Sequence, residues 1–243
     1  MDHPFFQQAV RKNYYLKSGY VSREQPRYCY DTLMEGVWQP QVYALARELG
    51  MTLRCKYVID IGCGTASKLV KLYPDFQIIG IDYGENLQAS RSMYPFGTWL
   101  EHNLDSRHKL NFEKSILKDA ILVCADVIEH LVQPVHFLCN LKEWMEHAAV
   151  CLLSTPERDI EQGADHRGPP PNPSHVREWN LDELATLFRS FAFDIKFAGL
   201  TVSENITHTK RTSLLVLGNN DPYHAKSALL ESREVRKNIM RII

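Results

Sequence analysis

Two glycines and two carboxylates at ligand-binding spacing stand out between Tyr57 and Gly84, in "YVIDIGCGTASKLVKLYPDFQIIGIDYG". Gly62 and Gly64 let a backbone approach a ligand closely, and Ala66 stands where close helix packing takes only a small side chain. Asp82 ends a second apolar run about 20 residues after the first, and a carboxylate there accepts from both hydroxyls of an adenosine ribose. NAD, FAD and S-adenosylmethionine all fit that pattern. Three histidines on loops, His130, His166 and His175, are of the type that takes a proton from a hydroxyl nucleophile near neutral pH.

A second chemical segment is residues 155–180, "TPERDIEQGADHRGPPPNPSHVREWN", long for a strand-to-helix connection and placed at the carboxyl edge where α/β sheets bind ligands. Asp165, Asn172, His175, Arg177 and Glu178 supply donors and acceptors, and Trp179 supplies a flat apolar face. That mixture suits a sugar. The competing reading is structural, with Arg158, Arg177 and Glu178 as salt links and Trp179 as a packed anchor.

The elements that must position these residues alternate between short apolar runs and amphipathic stretches. Strands are expected at 57–61, 77–82, 97–101, 120–124, 149–154, 192–199 and 213–217, with helices at 65–73, 85–93, 134–147 and 181–190. Strands joined by helical crossovers argue for a mainly parallel sheet covered on both faces. The polar stretch 201–211 has no helical period and reads as a hairpin, which makes the sheet mixed. A single domain over 1–243 follows, with an aromatic-rich cap at 1–50, a core at 56–218 and a helical tail at 222–243. The tail packs on the domain or joins two copies of the chain, the latter giving a homo-oligomer.

Charge and composition narrow the field further. Lys plus Arg is 28 against 29 for Asp plus Glu, so no whole-chain field gathers polyanions and nucleic acid is not an expected partner. Six scattered cysteines without a CxxC pair read as reduced thiols, and no apolar run reaches the length of a membrane span or signal core. A cytoplasmic protein is the expectation.

"VIDIGCGTA" resembles the first motif of class I S-adenosylmethionine-dependent methyltransferases, over a region of similarity from about Lys56 to Gly218. The resemblance implies a Rossmann-like α/β fold, a seven-stranded mixed sheet ordered 3-2-1-4-5-7-6 with helices on both faces. It also implies S-adenosylmethionine as cofactor. On it, Asp60 helps place the cofactor's amino group, Gly62 and Gly64 approach its methionine part, Asp82 receives the ribose, and Leu104 and Asp105 meet adenine. Asp126, in "VCADVIEHL", falls where cofactor meets acceptor; Glu129 and His130 are functional or begin a helix.

The segment from Glu157 to Trp179 also resembles a subgroup of bacterial and large-virus methyltransferases from glycan gene clusters, with "ER...G..D.GPP.N..HVREW". That implies methyl transfer to a sugar hydroxyl of a glycan or glycoconjugate, with His175, Asp126 and Asp165 as candidate catalytic groups. His130, His166, Asn172, Arg177, Glu178 and Trp179 then line the acceptor side. Asp126, Glu129, His130 and Asp165 offer ligands for Mg²⁺ if the fold brings them together, which the sequence leaves open. The alternatives are a methyltransferase of a polyketide, quinone or amine, a non-catalytic cofactor-binding interaction protein, and a nicotinamide oxidoreductase.

Overall fold

The computed structural model describes residues 13–27, 38–204, 209–219, 224–238 and 240–241 of the 243. Expectations resting on Phe5, Phe6, Tyr28, Cys29, Tyr30, Ile239 and Ile242 lie outside the described residues. The strands are β1 (Tyr57–Ile61), β2 (Gln77–Asp82), β3 (Thr98–Glu101), β4 (Ala120–Ala125), β5 (Val150–Pro156), β6 (Asp194–Glu204), β7 (Thr209–Gly218) and a two-residue β8 (Met240–Arg241). The helices are α1 (Pro40–Thr52), α2 (Gly84–Met93), α3 (Lys114–Lys118), α4 (Pro134–Met145), α5 (Arg158–Gln162), α6 (Leu181–Ser190), α7 (His224–Glu231) and α8 (Arg233–Asn238).

The sheet runs β3-β2-β1-β4-β5-β7-β6-β8, which is the expected seven-strand order with β8 added at one edge. The first five strands are parallel, and β7 lies antiparallel to β5 and to β6. Period-two alternation divides the core between the two faces. Ile59, Ile61, Ile79, Ile81, Leu122 and Leu153 point to the side covered by α4 and α6. Val58, Ile78, Ile121, Val123, Leu152 and Val216 point to the side covered by α1.

The sharpest match is α6. Asn180 and Glu183 form a reciprocal capping box, a local signal that fixes the helix start from sequence alone. The hairpin is also present, but its strands extend through most of the polar stretch. Thr201 Oγ1 donates to Gln41 Oε1 at 2.5 Å, and Ser203 Oγ accepts from the Gln39 amide at 3.1 Å. Those hydroxyls are strand residues that bind the start of α1, which is why the stretch looked like a loop.

The helix expected at 65–73 is replaced by turns and a 3₁₀ segment, Leu69–Leu72. Ala66 sits at φ 60°, which blocks a helix from Thr65, and Pro74 restrains Tyr73 to extended backbone. The tail is likewise two helices rather than one. They break at Ser232, whose hydroxyl accepts from the Val235 amide.

Glu48 of α1 pins that break, accepting from Ser232 Oγ at 2.8 Å and the Arg233 amide at 2.7 Å. Burial works against its ionisation, but these donors and the Glu234 amide outweigh it and hold the carboxyl below the usual glutamate value. Glu48→Ala is expected to cost about 1 kcal/mol and to speed amide exchange in α7 and α8. Because the folded value is depressed, the stabilisation is present above the ordinary glutamate pKa and is lost as pH falls through the folded one. Unchanged exchange at Arg233 and Glu234 would remove Glu48 as the anchor.

The cysteines described, Cys55, Cys63, Cys124, Cys139 and Cys151, are thiols outside any disulfide, and burial pushes those of Cys124 and Cys151 up. Among the described residues no helix is long and apolar enough to cross a membrane.

Candidate active site

The glycine turn closes over the end of β2. Gly62 at φ 74° and Gly64 at φ 57° carry the chain through left-handed backbone, and the Gly62 and Cys63 amides both donate to the Ile81 carbonyl. A Cβ on Gly62 would stand 2.6 Å from Val127 Cγ2, so the position has no room for any other residue. Asp82 is fixed at the lip of this turn: Oδ2 accepts from the Gly64 amide and Oδ1 from the Tyr83 amide, both at 2.7 Å.

Beneath the turn, Asp60 is buried and accepts from the Tyr43 hydroxyl at 2.7 Å. Burial, and then the Asp60 charge, push the Tyr43 phenol far up, so it remains a donor. Sequence reasoning missed Tyr43, since nothing local ties α1 to β1. Leu104 is buried. The two oxygens of Asp105 accept from the Val132 and Gln133 amides at 3.1 and 2.7 Å and so clamp the loop after β3 to the entry of α4.

At the end of β4, Asp126 takes φ 57°, and both its oxygens accept from Gln39 Nε2, at 2.9 and 2.8 Å. Burial raises its carboxyl against these hydrogen bonds. Gln39, almost wholly buried, was also missed; its only sequence signal is that it precedes Pro40 at a helix start.

A 3₁₀ turn at Ile128–His130 sets Glu129 beside His130. Glu129 is fully buried, with Oε2 accepting from Thr155 Oγ1 at 2.9 Å and Oε1 buried without a hydrogen-bond partner among the described residues. His130 Nδ1 lies 2.9 Å from the Ser174 carbonyl, so it carries the proton and leaves Nε2 as the lone-pair nitrogen. Burial, with His175 adding to it, lowers the His130 pKa to about 4, so this ring is neutral near pH 7.

His175 packs edge-on against that ring, with centroids 4.9 Å apart. Its Nδ1 faces Glu178 Oε1 at 2.5 Å, while Nε2 lies 3.0 Å from Asn172 Nδ2. The carboxylate fixes the tautomer, so Nε2 carries the lone pair and accepts from the Asn172 amide, a bond that a metal ion on Nε2 would replace. One ligand atom each from Glu129, His130 and His175 lies within 4.8 Å of the others. A buried carboxylate oxygen and two imidazole nitrogens fit a divalent ion, and nitrogen donors suit Mn²⁺ or Co²⁺ better than Mg²⁺. Asp165, proposed from sequence as a further ligand, is exposed and outside this group.

The rest of the 155–180 segment divides between wall and scaffold. A cavity of ≈ 270 Å³ is lined by Asn172, His175 and Glu178 together with Glu161, Gln162 and Lys210. Asp165 and His166 do not line it; the His166 ring packs against Tyr20 at 6.4 Å. Arg177 and Trp179 correct the sequence expectation. The Arg177 guanidinium donates to the Leu131 and Val132 carbonyls and stacks 4.4 Å over Tyr14, and Trp179 is fully buried with Nε1 donating to the Tyr14 carbonyl at 3.0 Å. Neither has a face left for a sugar.

The amino-terminal segment lies along this loop. The amides of Val21, Arg23 and Arg27 donate to the carbonyls of Arg167, Val176 and Pro173 at 2.7, 2.7 and 2.8 Å. Its aromatic residues Tyr14 and Tyr20 are core.

The sequence pattern of the methyltransferase domain family matches residues 32–196. A probable S-adenosylmethionine-dependent methyltransferase of Mycobacterium tuberculosis is 29% identical over 178 residues, 70% of this chain and 61% of that protein. Its counterpart in Mycolicibacterium smegmatis is 30% identical over 169 residues, 67% of this chain and 61% of that protein. The chain thus spans about three fifths of the length of the curated relatives it matches. Among solved structures, the small RNA methyltransferase HEN1 superposes with a TM-score of 0.57 at 19% identity, covering 80% of this chain and 27% of that one. The methyltransferase domain of a bacterial Hen1 gives 0.53 at 21%, covering 74% and 97%. With its glycine turn, the acid ending β2 and the reversed seventh strand all in place, the chain belongs to the methyltransferase domain family and has the class I S-adenosylmethionine-dependent fold.

Proposed function

We propose that the chain transfers a methyl group from S-adenosylmethionine to a sugar hydroxyl of a glycan or glycoconjugate, using a divalent cation held by Glu129, His130 and His175. The observation that carries this reading is the convergence of those three donors beside a small cavity lined by both prolines and polar side chains. A bound cation would lower the pKa of an acceptor hydroxyl and orient it. Glu178 and the Ser174 carbonyl hold the two rings in the tautomers that ligation requires. His175 is thereby a ligand rather than the base expected from sequence. Asp126, held by Gln39, accepts the hydroxyl proton as the oxygen attacks the methyl carbon in line and the sulfonium leaves as a neutral thioether.

Asp82 in this reading binds the ribose, so Asp82→Ala should weaken S-adenosylhomocysteine binding about tenfold or more, by calorimetry, with folding retained. Unchanged affinity would refute the assignment. Free thiols in the described core suit a reducing compartment, which supports the cytoplasm. The interaction-protein alternative loses part of its docking surface, because residues 21–27 are committed to the acceptor loop.

The decisive assay presents labelled cofactor and Mn²⁺, Co²⁺ or Mg²⁺ with an array of glycans, sugar nucleotides, phenols and amines. Label in glycans only, abolished by chelation and restored by metal, is expected. Label confined to phenols or amines, or indifferent to chelation, would overturn the reading.

A further inference from the structure

Lys210 stands out among the charged groups around the acceptor cavity. It projects from β7 and lines the cavity with His175 and Asn172. Among the described residues no carboxylate lies within 4.0 Å of its ammonium, which rests 5.1 Å above the Trp38 ring. A ring face holds a cation without neutralising it.

The carboxylates of the cavity wall have hydrogen-bond partners of their own. Glu161 accepts from the Arg211 amide at 2.7 Å, and Glu178 is bound to His175. Arg158 is paired with Asp159 and Glu183, and Lys17 with Asp159. Asp126, gripped by Gln39, feels the Lys210 charge, but no described carboxylate forms an ion pair with the ammonium, so the wall presents a positioned cation with room for a ligand's anionic group.

We infer that Lys210 makes this cavity select an acceptor bearing an anionic group, a carboxylate or phosphate ester, on the same sugar as the methylated hydroxyl. This rests on the sugar-methylation reading. The size of the cavity, ≈ 270 Å³, holds the charge and the hydroxyl to one ring or its immediate substituent. An ammonium on a flexible stem meets either anion as a point charge, so the residue does not itself choose between the two. Trp38 is adjacent in sequence to Gln39, which grips Asp126, so the segment that seats the ammonium also seats the proposed base. Selection and chemistry thus share one support.

The test measures binding to the full-length protein loaded with S-adenosylhomocysteine and Mn²⁺, using methyl glucuronide, glucose 1-phosphate and neutral methyl glucoside as probes. One or both anionic probes should bind about tenfold or more tighter than the neutral one, and Lys210→Met should collapse that ratio toward one while Lys210→Arg retains most of it. The two anionic arms tell carboxylate from phosphate. Equal binding of all three probes, or an unchanged ratio in Lys210→Met, would overturn the inference; a melting curve on each variant excludes misfolding as the cause. Anion-selective binding without methylation of any sugar would sink the methyl-transfer reading and leave Lys210 standing.

Discussion

Glu129→Gln is expected to reduce methyl transfer roughly a thousandfold, equivalent to ~4 kcal/mol of transition-state stabilisation, while S-adenosylhomocysteine affinity stays within about twofold. Glu129 stands apart from the glycine turn, on the 3₁₀ segment after β4, and its Oε2 interaction with Thr155 is one that an amide oxygen can still accept. What the amide cannot supply is a carboxylate ligand beside His130 and His175, and Oε1 is the Glu129 oxygen without a hydrogen-bond partner among the described residues. Calorimetric titration with Mn²⁺ should show tight binding to the wild type and little to the variant, a readout independent of turnover. His130→Ala should fail in the same way, because its Nε2 is the second donor. Full activity in Glu129→Gln with unaltered metal response would leave the cluster as core polarity and return the search for the acceptor-activating group to Asp126 alone.

What the sequence revealed about this site follows from how local each signal is. Gly62, Gly64 and Asp82 are legible because the turn, the strand before it and the acid closing β2 fall within 28 residues whose spacing reports their geometry. The capping box of α6 is legible for the same reason. The clamp that Asp105 makes was not legible, because the two amides it holds lie 27 and 28 residues onward. Arg177 and Trp179 misled, since their partners, Tyr14 and the carbonyls of Leu131 and Val132, lie far along the chain. Gln39 carries no local pattern, and only the packing of α1 against β4 brings it to Asp126. His175 drew notice for its type, but the fold supplies its meaning by setting it beside His130, 45 positions away, with Glu178 behind it.

The second large effect concerns scaffold rather than chemistry. Arg158→Ala is expected to destabilise the fold by about 3–5 kcal/mol, read as a lowered midpoint in urea with unchanged slope. Arg158 is fully buried and spends its donors on four acceptors: Asp159 Oδ1 at 2.8 Å, the Glu178 carbonyl at 3.1 Å, and the two Glu183 oxygens at 2.5 and 3.0 Å. Its removal leaves the part-buried Glu183 carboxylate, which is also the acid of the α6 capping box, with only the Lys17 and Asn180 amides, and leaves the Glu178 carbonyl without this donor. Arg158→Lys should recover only part, because an ammonium cannot fork across both Glu183 oxygens. Since Arg158 grips the Glu178 carbonyl while the Glu178 side chain orients His175, residual folded variant should also lose metal affinity at His175. A loss below about 1 kcal/mol would mean the acceptor loop is held by Arg177 and Trp179 instead, and the same metal titration on Arg177→Ala would then show the defect.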